Sequence, residues 1–504
     1  MQSNVLEWLE RSAEKIPEKT ALLDEREQVT FKEYHDKSIG IAEAILEAGH
    51  GTKKPVVVYI EKSVKVLISF MGIAYSGNFY SPIDTEMPAA RVNKILEVLK
   101  PELVITTKEL AGEFKAFDYQ GDFLFYEEAK EREKSEKVQK AAASIIDTDL
   151  LYVLFTSGST GVPKGVCITH GSVIDYIDWV TETFGITEKD SFGNQAPFYF
   201  DNSILDIYSA MKTGAALHII PQRLFSQPVL LLEYLKEHEI STIFWVPSAL
   251  IVVSKLKALR NVDMTGTLKR VLFCGEVMPN KQLNIWRKYL PDAVYANLYG
   301  PTEITDACVC YIVDREFGDD EPLPMGYPMR NTDILVLDED NCLVTDADIA
   351  GELCVRGTGL SQGYYRNPEK TQAAFVQNPL NDAYEEKIYC TGDLVKYNER
   401  HELVYLSRKD FQIKHMGHRI ELGEIETAAS SLPGITLCCC LYDEKRSRIV
   451  LFIDTELKKD EINRQLKEMI PEYMLPGKVI AKEEMPVNAN GKIDRIALKE
   501  YLSV

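Results

Sequence analysis

The alternation of short apolar runs with longer amphipathic stretches limits this chain to few folds. Runs rich in β-branched and aromatic residues predict buried strands at residues 56–60, 103–105, 152–155, 242–246 and 271–273. The stretches between them, such as residues 89–99 and 228–239, have the apolar spacing of helices. Strand–helix alternation of this kind predicts an α/β fold with largely parallel sheets.

The pattern changes near residue 334, where short apolar runs are separated by Asp, Gly and Asn turns. These runs, at residues 334–337, 352–355 and 403–406, predict a small β-rich subdomain. A chain of 504 residues also exceeds the size at which a single core stops growing. We therefore predict a large domain of residues 1–409, with two α/β-layered sheets and the β-rich subdomain, followed by a small mobile α+β domain of residues 410–504.

Composition argues against several classes of protein. The 57 Lys and Arg residues against 77 Asp and Glu residues give a net charge of −20, which disfavours a broad nucleic-acid surface but allows a single nucleotide. The N-terminus lacks a signal-peptide pattern, and the most apolar stretch is too short to span a bilayer. The ten cysteines lack zinc-ligand spacing, so we expect buried free thiols. A cytoplasmic enzyme is the resulting expectation.

The clearest motif is a loop of small and hydroxyl residues at residues 156–165, with the sequence Thr-Ser-Gly-Ser-Thr-Gly-Val-Pro-Lys-Gly. Its glycines let the backbone approach an anion, its hydroxyls donate hydrogen bonds, and Lys164 adds a positive charge. The loop differs from a Walker A motif because Pro163 precedes the lysine and Gly165 follows it. We predict that it binds polyphosphate; the alternative is a flexible surface turn.

A second cluster, residues 297–303, combines an amide at Asn297, an aromatic face at Tyr299 and a carboxylate at Glu303. The amide could recognise the edge of a base, the ring could stack on that base, and the carboxylate could hold Mg²⁺ beside phosphates. A Gly-Pro turn with a helix-capping Thr302 would give the same pattern, so both interpretations stay open.

Several other charged residues admit two interpretations each. Asp393 follows a predicted strand on a tight turn, where an Asp either binds ribose hydroxyls or only caps the turn. Arg408 and Asp410 stand at the start of the last unit and form either part of a site or a surface ion pair. Asp201 lies in an aromatic run and needs either a cation or the backbone amides of a helix N-terminus. Lys492 follows an Asn-Gly hairpin signal and is, by itself, typical of a solvated lysine.

Taken together and in this order, the motifs resemble those of the adenylate-forming superfamily, and within it the amino-acid adenylation domains of nonribosomal peptide synthesis. The resemblance covers nearly the whole chain and implies ATP and Mg²⁺ as cofactors. An amino-acid carboxylate would attack the α-phosphate of ATP, pyrophosphate would leave, and a phosphopantetheine thiol on a carrier protein would then take the aminoacyl group. The implied nucleotide-binding residues are Thr156, Ser157, Gly158, Ser159, Thr160, Lys164, Gly275, Glu276, Asn297, Tyr299, Asp393 and Arg408.

The resemblance also implies catalytic roles. Thr302 would bind the α-phosphate, Glu303 would help to hold Mg²⁺, and Lys492 would bridge the attacking carboxylate and the α-phosphate. Lys164 would bind the leaving β- and γ-phosphates. Asp410 would be the hinge about which the C-terminal domain rotates between the two half-reactions.

The implied substrate pocket contains Asp201, which would pair with the α-ammonium group and so separates amino-acid activators from acyl- and aryl-CoA ligases. Residues 194–201 and 273–276 are similar to the D-alanine–carrier-protein ligases of teichoic acid modification, where a Cys matching Cys274 lines a small pocket. Asp306 departs from that pattern, because an apolar residue would suit alanine; we hypothesise that it meets a polar or cationic substrate group. The other implied pocket residues are Asn202, Leu205, Phe244, Leu272, Leu298 and Ala307.

Three functions follow as alternatives. The first is an amino acid–carrier protein ligase, including the D-alanine ligases, and the second is an acid–CoA ligase with the same first step. The third is a non-catalytic nucleotide-binding protein, which the intact set of Lys164, Glu303, Asp393 and Lys492 disfavours. For the first, we expect action in trans on a separate carrier protein, because no carrier pattern follows Lys492. Neither nucleic acid nor a membrane span is expected.

Overall fold

The protein is described by a computed structural model that covers residues 2–132, 135–158, 161–410, 412–455, 457–482, 485–486 and 493–502. Its fold is α/β, as the strand–helix alternation predicts. The described residues form three larger sheets, one small three-stranded sheet and one separate hairpin. Within these ranges, no helix combines the length and the apolar character that a bilayer crossing needs.

The largest sheet has nine strands, and its centre is parallel. The central strand Thr242–Trp245 is buried on both faces, which explains why its residues 243–245 are consecutively apolar rather than alternating. Antiparallel strands close both edges. In spatial order the strands are Tyr327–Pro328, Val309–Ile312, Val294–Tyr299, Arg270–Phe273, Thr242–Trp245, Ser191–Asn194, Ala216–Ile219, Thr20–Leu23 and Gln28–Thr30.

The second sheet has six strands, five of them parallel. Its last strand runs antiparallel because the hydroxyl-rich loop folds the chain back on the preceding strand. In spatial order the strands are Asp122–Phe125, Leu103–Thr106, Pro55–Tyr59, Phe79–Pro82, Leu150–Thr156 and Lys164–Thr169.

Helices connect these strands and bury the sheet faces. The longest, Phe31–Ala48, begins at a capping box between Thr30 and Glu33 and ends at Gly49, whose φ of 81° suits glycine. The core between the sheets takes side chains from both, including Tyr80 and Phe244. The other helices are Leu6–Lys15, Val64–Tyr75, Ala89–Leu99, Ala111–Phe114, Tyr126–Ala129, Glu136–Ala143, His170–Thr183, Asn202–Thr213, Pro228–Glu237, Pro247–Lys255 and Asn280–Tyr289, with 3₁₀ turns at Gln222–Ser226, Ala258–Arg260 and Thr302–Ile304.

The predicted β-rich subdomain is a five-stranded antiparallel sheet. Its pairing shifts register between Glu352 and Cys354, so that residues 391–393 bulge from the partner strand. The strands are Thr332–Leu337, Ala350–Gly357, Phe375–Gln377, Lys387–Tyr397 and Leu403–Arg408, and one helix spans Pro368–Ala374.

The C-terminal part starts with a hairpin formed by Gln412–His415 and His418–Glu421, called the covering hairpin below. A three-stranded sheet of Cys438–Asp443, Arg448–Ile453 and Lys478–Ala481 follows, with its own apolar core. The strand Arg448–Ile453 and the helix Lys459–Leu466 agree with the α+β structure predicted for this part of the chain. Further helical segments are Leu422–Ser430, Glu472–Met474, Arg495–Lys499 and Glu500–Leu502.

Candidate active site

The candidate site lies where strands of both large sheets end. In the nine-stranded sheet, the neighbouring parallel strands Arg270–Phe273 and Val294–Tyr299 end just before Gly275 and Thr302. The strand Leu150–Thr156 of the other sheet runs directly into Ser157. Carboxyl ends of parallel strands share one edge of a sheet and form the usual binding crevice of open α/β folds. Motifs more than 100 residues apart in sequence therefore meet at one cleft.

This cleft has about 850 Å³ of empty space, part of it open to solvent. It brings together eight residues predicted for the site, namely Thr156, Ser157, Asp201, Asn202, Gly275, Thr302, Asp393 and Arg408. The opposite wall comes from the C-terminal part and includes Gln412, Lys414, Gly417 and Arg419. The cleft is therefore shared between the large domain and the covering hairpin.

Asp201 is buried at the first turn of the helix Asn202–Thr213 and faces this cleft. One carboxylate oxygen accepts a hydrogen bond of 3.1 Å from the backbone N–H of Asn202, so the residue also caps the helix. Burial raises the pKa of Asp201, the Thr302 hydroxyl lowers it, and Glu303 raises it further. The helix-capping interpretation of Asp201 is therefore confirmed. Its carboxylate also lines the cleft, and the pairing with a cation stays a prediction.

Glu303 is fully buried and is neutralised by the covering hairpin. The guanidinium of Arg419 lies 2.5 Å from one of its oxygens, and the Tyr364 hydroxyl donates a 2.8 Å hydrogen bond to the other. Burial alone would raise the pKa of Glu303, but Arg419 and Lys164 hold it at about 2. The site therefore contains a permanent negative charge that requires a cation.

Lys164 is engaged by the same hairpin. Its ammonium lies 3.9 Å from a carboxylate oxygen of Glu421, and burial together with the nearby Arg419 lowers its pKa. Ser157 accepts a hydrogen bond from the backbone N–H of Glu421 and donates one to the carbonyl of Arg419. The hydroxyl-rich loop is therefore docked against the hairpin in this arrangement.

Tyr299, Asp393 and Arg408 form one connected group. The Tyr299 hydroxyl hydrogen bonds to one Asp393 oxygen, and the Arg408 guanidinium binds the other at 2.8 Å. Arg408 also makes two hydrogen bonds to Asp410, so the pair predicted at the start of the last unit is observed. The ammonium of Lys414 lies 5.0 Å from the centre of the Tyr299 ring and covers its face.

Asn297 and Glu276 are held by other partners. The side-chain amide of Asn297 donates to the carbonyl of Pro324 at 2.8 Å. Glu276 accepts from the backbone N–H groups of Ser248 and Gly417, both at 2.9 Å, and so ties the covering hairpin to the large domain. Gly275, which precedes Glu276 and lines the cleft, has a φ of 97°, a conformation that glycine adopts without strain.

Asp306 lies behind Asp201 and is almost fully buried. One of its oxygens accepts a 2.7 Å hydrogen bond from the Tyr176 hydroxyl, while the other has no hydrogen-bond partner among the described residues. Burial and the charge of Asp201 raise the pKa of Asp306 well above its usual value. The remaining predicted pocket residues Leu205, Phe244, Leu272, Cys274, Leu298 and Ala307 are all buried in the large domain.

Three predicted residues, Ser159, Thr160 and Lys492, lie outside the described residues. The covering hairpin contributes site residues that were not predicted from the sequence. Its signal is the segment 417–421, Gly-His-Arg-Ile-Glu, in which two charged residues of opposite sign flank one apolar residue after a turn glycine. Tyr176, the partner of Asp306, was not predicted either, because sequence alone does not distinguish it from any other core tyrosine.

Comparison with known protein families identifies the family of this chain. The model of the AMP-binding enzyme family matches residues 9–365, and the model of the AMP-binding enzyme C-terminal domain matches residues 424–492. The chain belongs to the AMP-binding enzyme family. The predictions of an adenylate-forming enzyme and of a ligase are thereby confirmed, as is the predicted fold class.

Relatives of this AMP-binding enzyme include a synthase and a carrier protein ligase. It is 30% identical to zwittermicin A synthase ZmaJ of Bacillus cereus over 99% of this chain and 95% of the relative. It is 32% identical to a D-alanine–D-alanyl carrier protein ligase of Bacillus cytotoxicus over 97% of this chain and 98% of the relative. Several other relatives are much longer, and the chain spans 8% to 45% of their length.

Among solved structures, the Vibrio cholerae adenylation domain AlmE, in complex with glycyl-adenosine-5′-phosphate, is similar in fold. The TM-score is 0.85 at 21% identity, with 100% of this chain and 98% of that chain covered. The AMP-binding enzyme therefore has the fold of an adenylation domain along its whole length. The boundary between its two domains at residues 409 and 410 remains a prediction.

Proposed function

We propose that this AMP-binding enzyme activates an amino acid as its aminoacyl-adenylate, releases pyrophosphate and transfers the aminoacyl group to the phosphopantetheine thiol of a separate carrier protein. The observation that best supports this proposal is the buried carboxylate of Asp201, which lines the same cleft as Thr156 and Ser157. A buried carboxylate requires a cation, and the α-ammonium group of an amino acid would supply it within reach of the nucleotide phosphates. Relatives named as carrier protein ligases support the second step.

The phosphates would be held by Thr156, Ser157, Gly158 and Lys164, together with Ser159 and Thr160. Thr302, beside Asp201 in the cleft, would donate to the α-phosphate. Glu303 suits Mg²⁺, because it is a buried and permanently ionised carboxylate for which Arg419 now supplies the positive charge. When bound there, Mg²⁺ would offset the charge of the phosphate oxygens.

The nucleoside would be held by the group around Asp393. Asp393 and Arg408 would bind the ribose hydroxyls, Tyr299 would stack on the adenine, and the edge of the base would meet Gly275, Glu276 and Asn297. Lys414 covers the Tyr299 ring in this arrangement, so adenine stacking on that face requires the covering hairpin to move. We propose that Asp410 is the hinge for that movement. During adenylate formation, Lys492 would supply positive charge to the cleft in place of the side chains of the covering hairpin.

Asp306 supports a finer proposal about the substrate. One oxygen of Asp306 has no hydrogen-bond partner among the described residues, and this buried carboxylate interacts electrostatically with Cys274 and Asp201. A substrate side chain with a hydrogen-bond donor would satisfy that oxygen, and a purely apolar one would not. The substrate would therefore be a small amino acid whose side chain carries a hydroxyl or an ammonium group, rather than alanine.

The test is an ATP–pyrophosphate exchange assay with a panel of amino acids, D and L, followed by transfer to a phosphopantetheinylated carrier protein. Asp201→Asn should raise the KM for the amino acid by about 100-fold while the KM for ATP stays within about twofold. Exchange driven only by fatty or aryl acids, with thioester formation on free CoA, would show an acid–CoA ligase instead. Asp306→Val should shift preference toward alanine; an unchanged ranking of amino acids would refute the role of Asp306 alone.

A further inference from the structure

Outside the cleft, two thiols face each other across the β-rich subdomain. Cys354 and Cys390 are directly opposite in the register of the antiparallel strands Ala350–Gly357 and Lys387–Tyr397. Their sulfur atoms lie 3.3 Å apart. Directly opposed residues have Cα atoms about 4.5 to 5.5 Å apart, within the range of about 4.4 to 6.8 Å that a disulfide requires. We propose that Cys354 and Cys390 are a modification site at which a peroxide forms a reversible intramolecular disulfide.

The surroundings assign different roles to the two thiols. Cys354 is buried, whereas Cys390 is only half-buried and so is the one that a small oxidant reaches. The Cys354 thiol donates a hydrogen bond to Cys390 and thereby lowers the pKa of Cys390; burial and Glu352 oppose this shift, and Lys409 assists it. A thiolate is the reactive form of cysteine. Cys390 is therefore the attacking sulfur and Cys354 the resolving one.

The chemistry balances with a peroxide as oxidant. The Cys390 thiolate attacks one oxygen of hydrogen peroxide, the O–O bond breaks, and the products are a sulfenic acid and hydroxide. The Cys354 sulfur then attacks the Cys390 sulfur, its proton passes to the leaving oxygen, and water departs. Two thiols and one peroxide thus yield one disulfide and two waters. A dithiol reductant reverses the step by thiol–disulfide exchange.

A metal ion is a less suitable ligand for the same place. The ligand atoms of Glu352, Cys354 and Cys390 lie within 4.8 Å of one another, which is close enough to share an ion. However, the ammonium of Lys409 lies 2.8 Å from a Glu352 oxygen, and the other oxygen accepts from the backbone N–H of Gly392. A cation would have to displace the lysine, whereas a disulfide uses neither oxygen of Glu352.

The pair flanks the bulge that carries Asp393. Thr391, next to Cys390, donates from its hydroxyl to the carbonyl of Leu353, and Gly392 is bound to Glu352. Closing the sulfurs from 3.3 Å to about 2.05 Å draws the two cysteines together directly beside this bulge. Oxidation should therefore shift Asp393 and weaken nucleotide binding; this second part rests on the ribose-binding role proposed for Asp393.

The full-length enzyme would be treated with hydrogen peroxide in the presence of a chelator and mapped by mass spectrometry without reduction. We expect a peptide pair linked through residues 354 and 390, two hydrogen atoms lighter than the reduced pair and separated again by dithiothreitol. Cys354→Ser should lose the link and let Cys390 oxidise further, whereas Cys342→Ser, which removes an exposed thiol elsewhere, should keep it. Absence of the link in the wild type, or a link to another cysteine, would overturn the site.

A second measurement tests the coupling to the nucleotide. Binding of AMP, measured by calorimetry, should weaken by about fivefold or more in the oxidised enzyme and recover on reduction. Cys354→Ser should show no such change with peroxide. Asp393→Ala serves as the reference: if it leaves AMP binding unchanged, the proposed role of Asp393 fails. If it weakens binding but oxidation does not, the coupling is refuted and the disulfide site stands.

Discussion

The guanidinium of Arg419 lies 2.5 Å from the fully buried carboxylate of Glu303. Arg419 belongs to the C-terminal part, whereas Glu303 follows a central strand of the large domain. Lys164 is matched in the same way by Glu421 of the same hairpin. The side chains of the covering hairpin thus neutralise Glu303 and Lys164. In the proposed complex, a metal cation and the phosphates would neutralise these two residues instead.

The first prediction concerns Arg419→Ala. Arg419 neutralises Glu303 in this arrangement, which we assign to the thioester step after pyrophosphate and Mg²⁺ have left, because the proposed role of Glu303 in adenylate formation needs that carboxylate free. The variant should therefore lose thioester formation by about 100-fold and adenylate formation by much less. Pyrophosphate exchange and carrier loading measure the two steps separately. Arg464→Ala, which removes an exposed arginine from the same domain, is the control; equal losses in both steps would contradict this explanation.

The second prediction concerns Lys492→Ala, for which we expect the opposite pattern. The positive charge proposed for this lysine is needed while the carboxylate attacks the α-phosphate, and not while a thiol attacks the finished adenylate. Exchange should therefore fall more than carrier loading from preformed aminoacyl-adenylate. Lys445→Ala, at an exposed position in the same domain, should affect neither step. Parallel loss of both activities would rule out a rotating C-terminal domain.

The third prediction uses the lowered pKa of Glu303, which is about 2 in the folded protein. Because this pKa lies below the ordinary value of 4.5, the ionised carboxylate stabilises the fold above that value, and the stabilisation is lost as the pH falls toward 2. Glu303→Gln should therefore lower Tm at pH 7, and the gap to the wild type should narrow at acidic pH. Differential scanning calorimetry checks this, with the exposed Glu369→Gln as control.

Glu303→Gln should also reduce adenylate formation by about 100-fold and raise the Mg²⁺ concentration needed for half-maximal exchange. A gap in Tm that is independent of pH would contradict the ion pair. An unchanged Mg²⁺ dependence would contradict the proposed metal-binding role but not the ion pair. The two outcomes therefore separate structure from catalysis.

The fourth prediction uses Asp306, whose pKa is raised by burial and by Asp201. A carboxylate with a raised pKa binds its proton more tightly when folded, so stability falls as the pH rises above the ordinary value of 3.8. Asp306→Asn keeps an acceptor for Tyr176, tolerates the φ of 69°, and removes the charge. Its Tm should exceed that of the wild type by about 2 °C or more at pH 8, and the two should converge near pH 4.

Asp382→Asn, at an exposed position, should leave Tm unchanged across this range and serves as the control. A variant of Asp306 that is less stable than the wild type at pH 8 would show that the carboxylate is held by a cation rather than strained by burial. In the presence of the preferred amino acid, the Tm of Asp306→Asn should instead fall below that of the wild type. The substrate would then supply the hydrogen-bond donor that the wild-type carboxylate lacks.

Sequence by itself determined the layered architecture and the chemistry of each motif. Strand runs such as residues 243–246 are apolar throughout because both faces of a parallel sheet are covered. The anion-binding character of the loop after Thr156 is equally local, because it depends on the glycines and hydroxyl groups of the loop itself. Patterns of this kind can be predicted from sequence because their physical cause lies in residues that are close together along the chain.

Tertiary structure alone decided which charges meet. Arg419 and Glu303 are separated by 115 intervening positions, and nothing in the sequence around either residue specifies the other, because an ion pair depends on distance in space and on the loss of water. The hydrogen bond from Tyr176 to Asp306 likewise depends on the tertiary structure. So does the pairing of Cys354 with Cys390 on neighbouring strands. Sequence thus supplied the reactive groups, and the packing of the domains set their partners and their protonation.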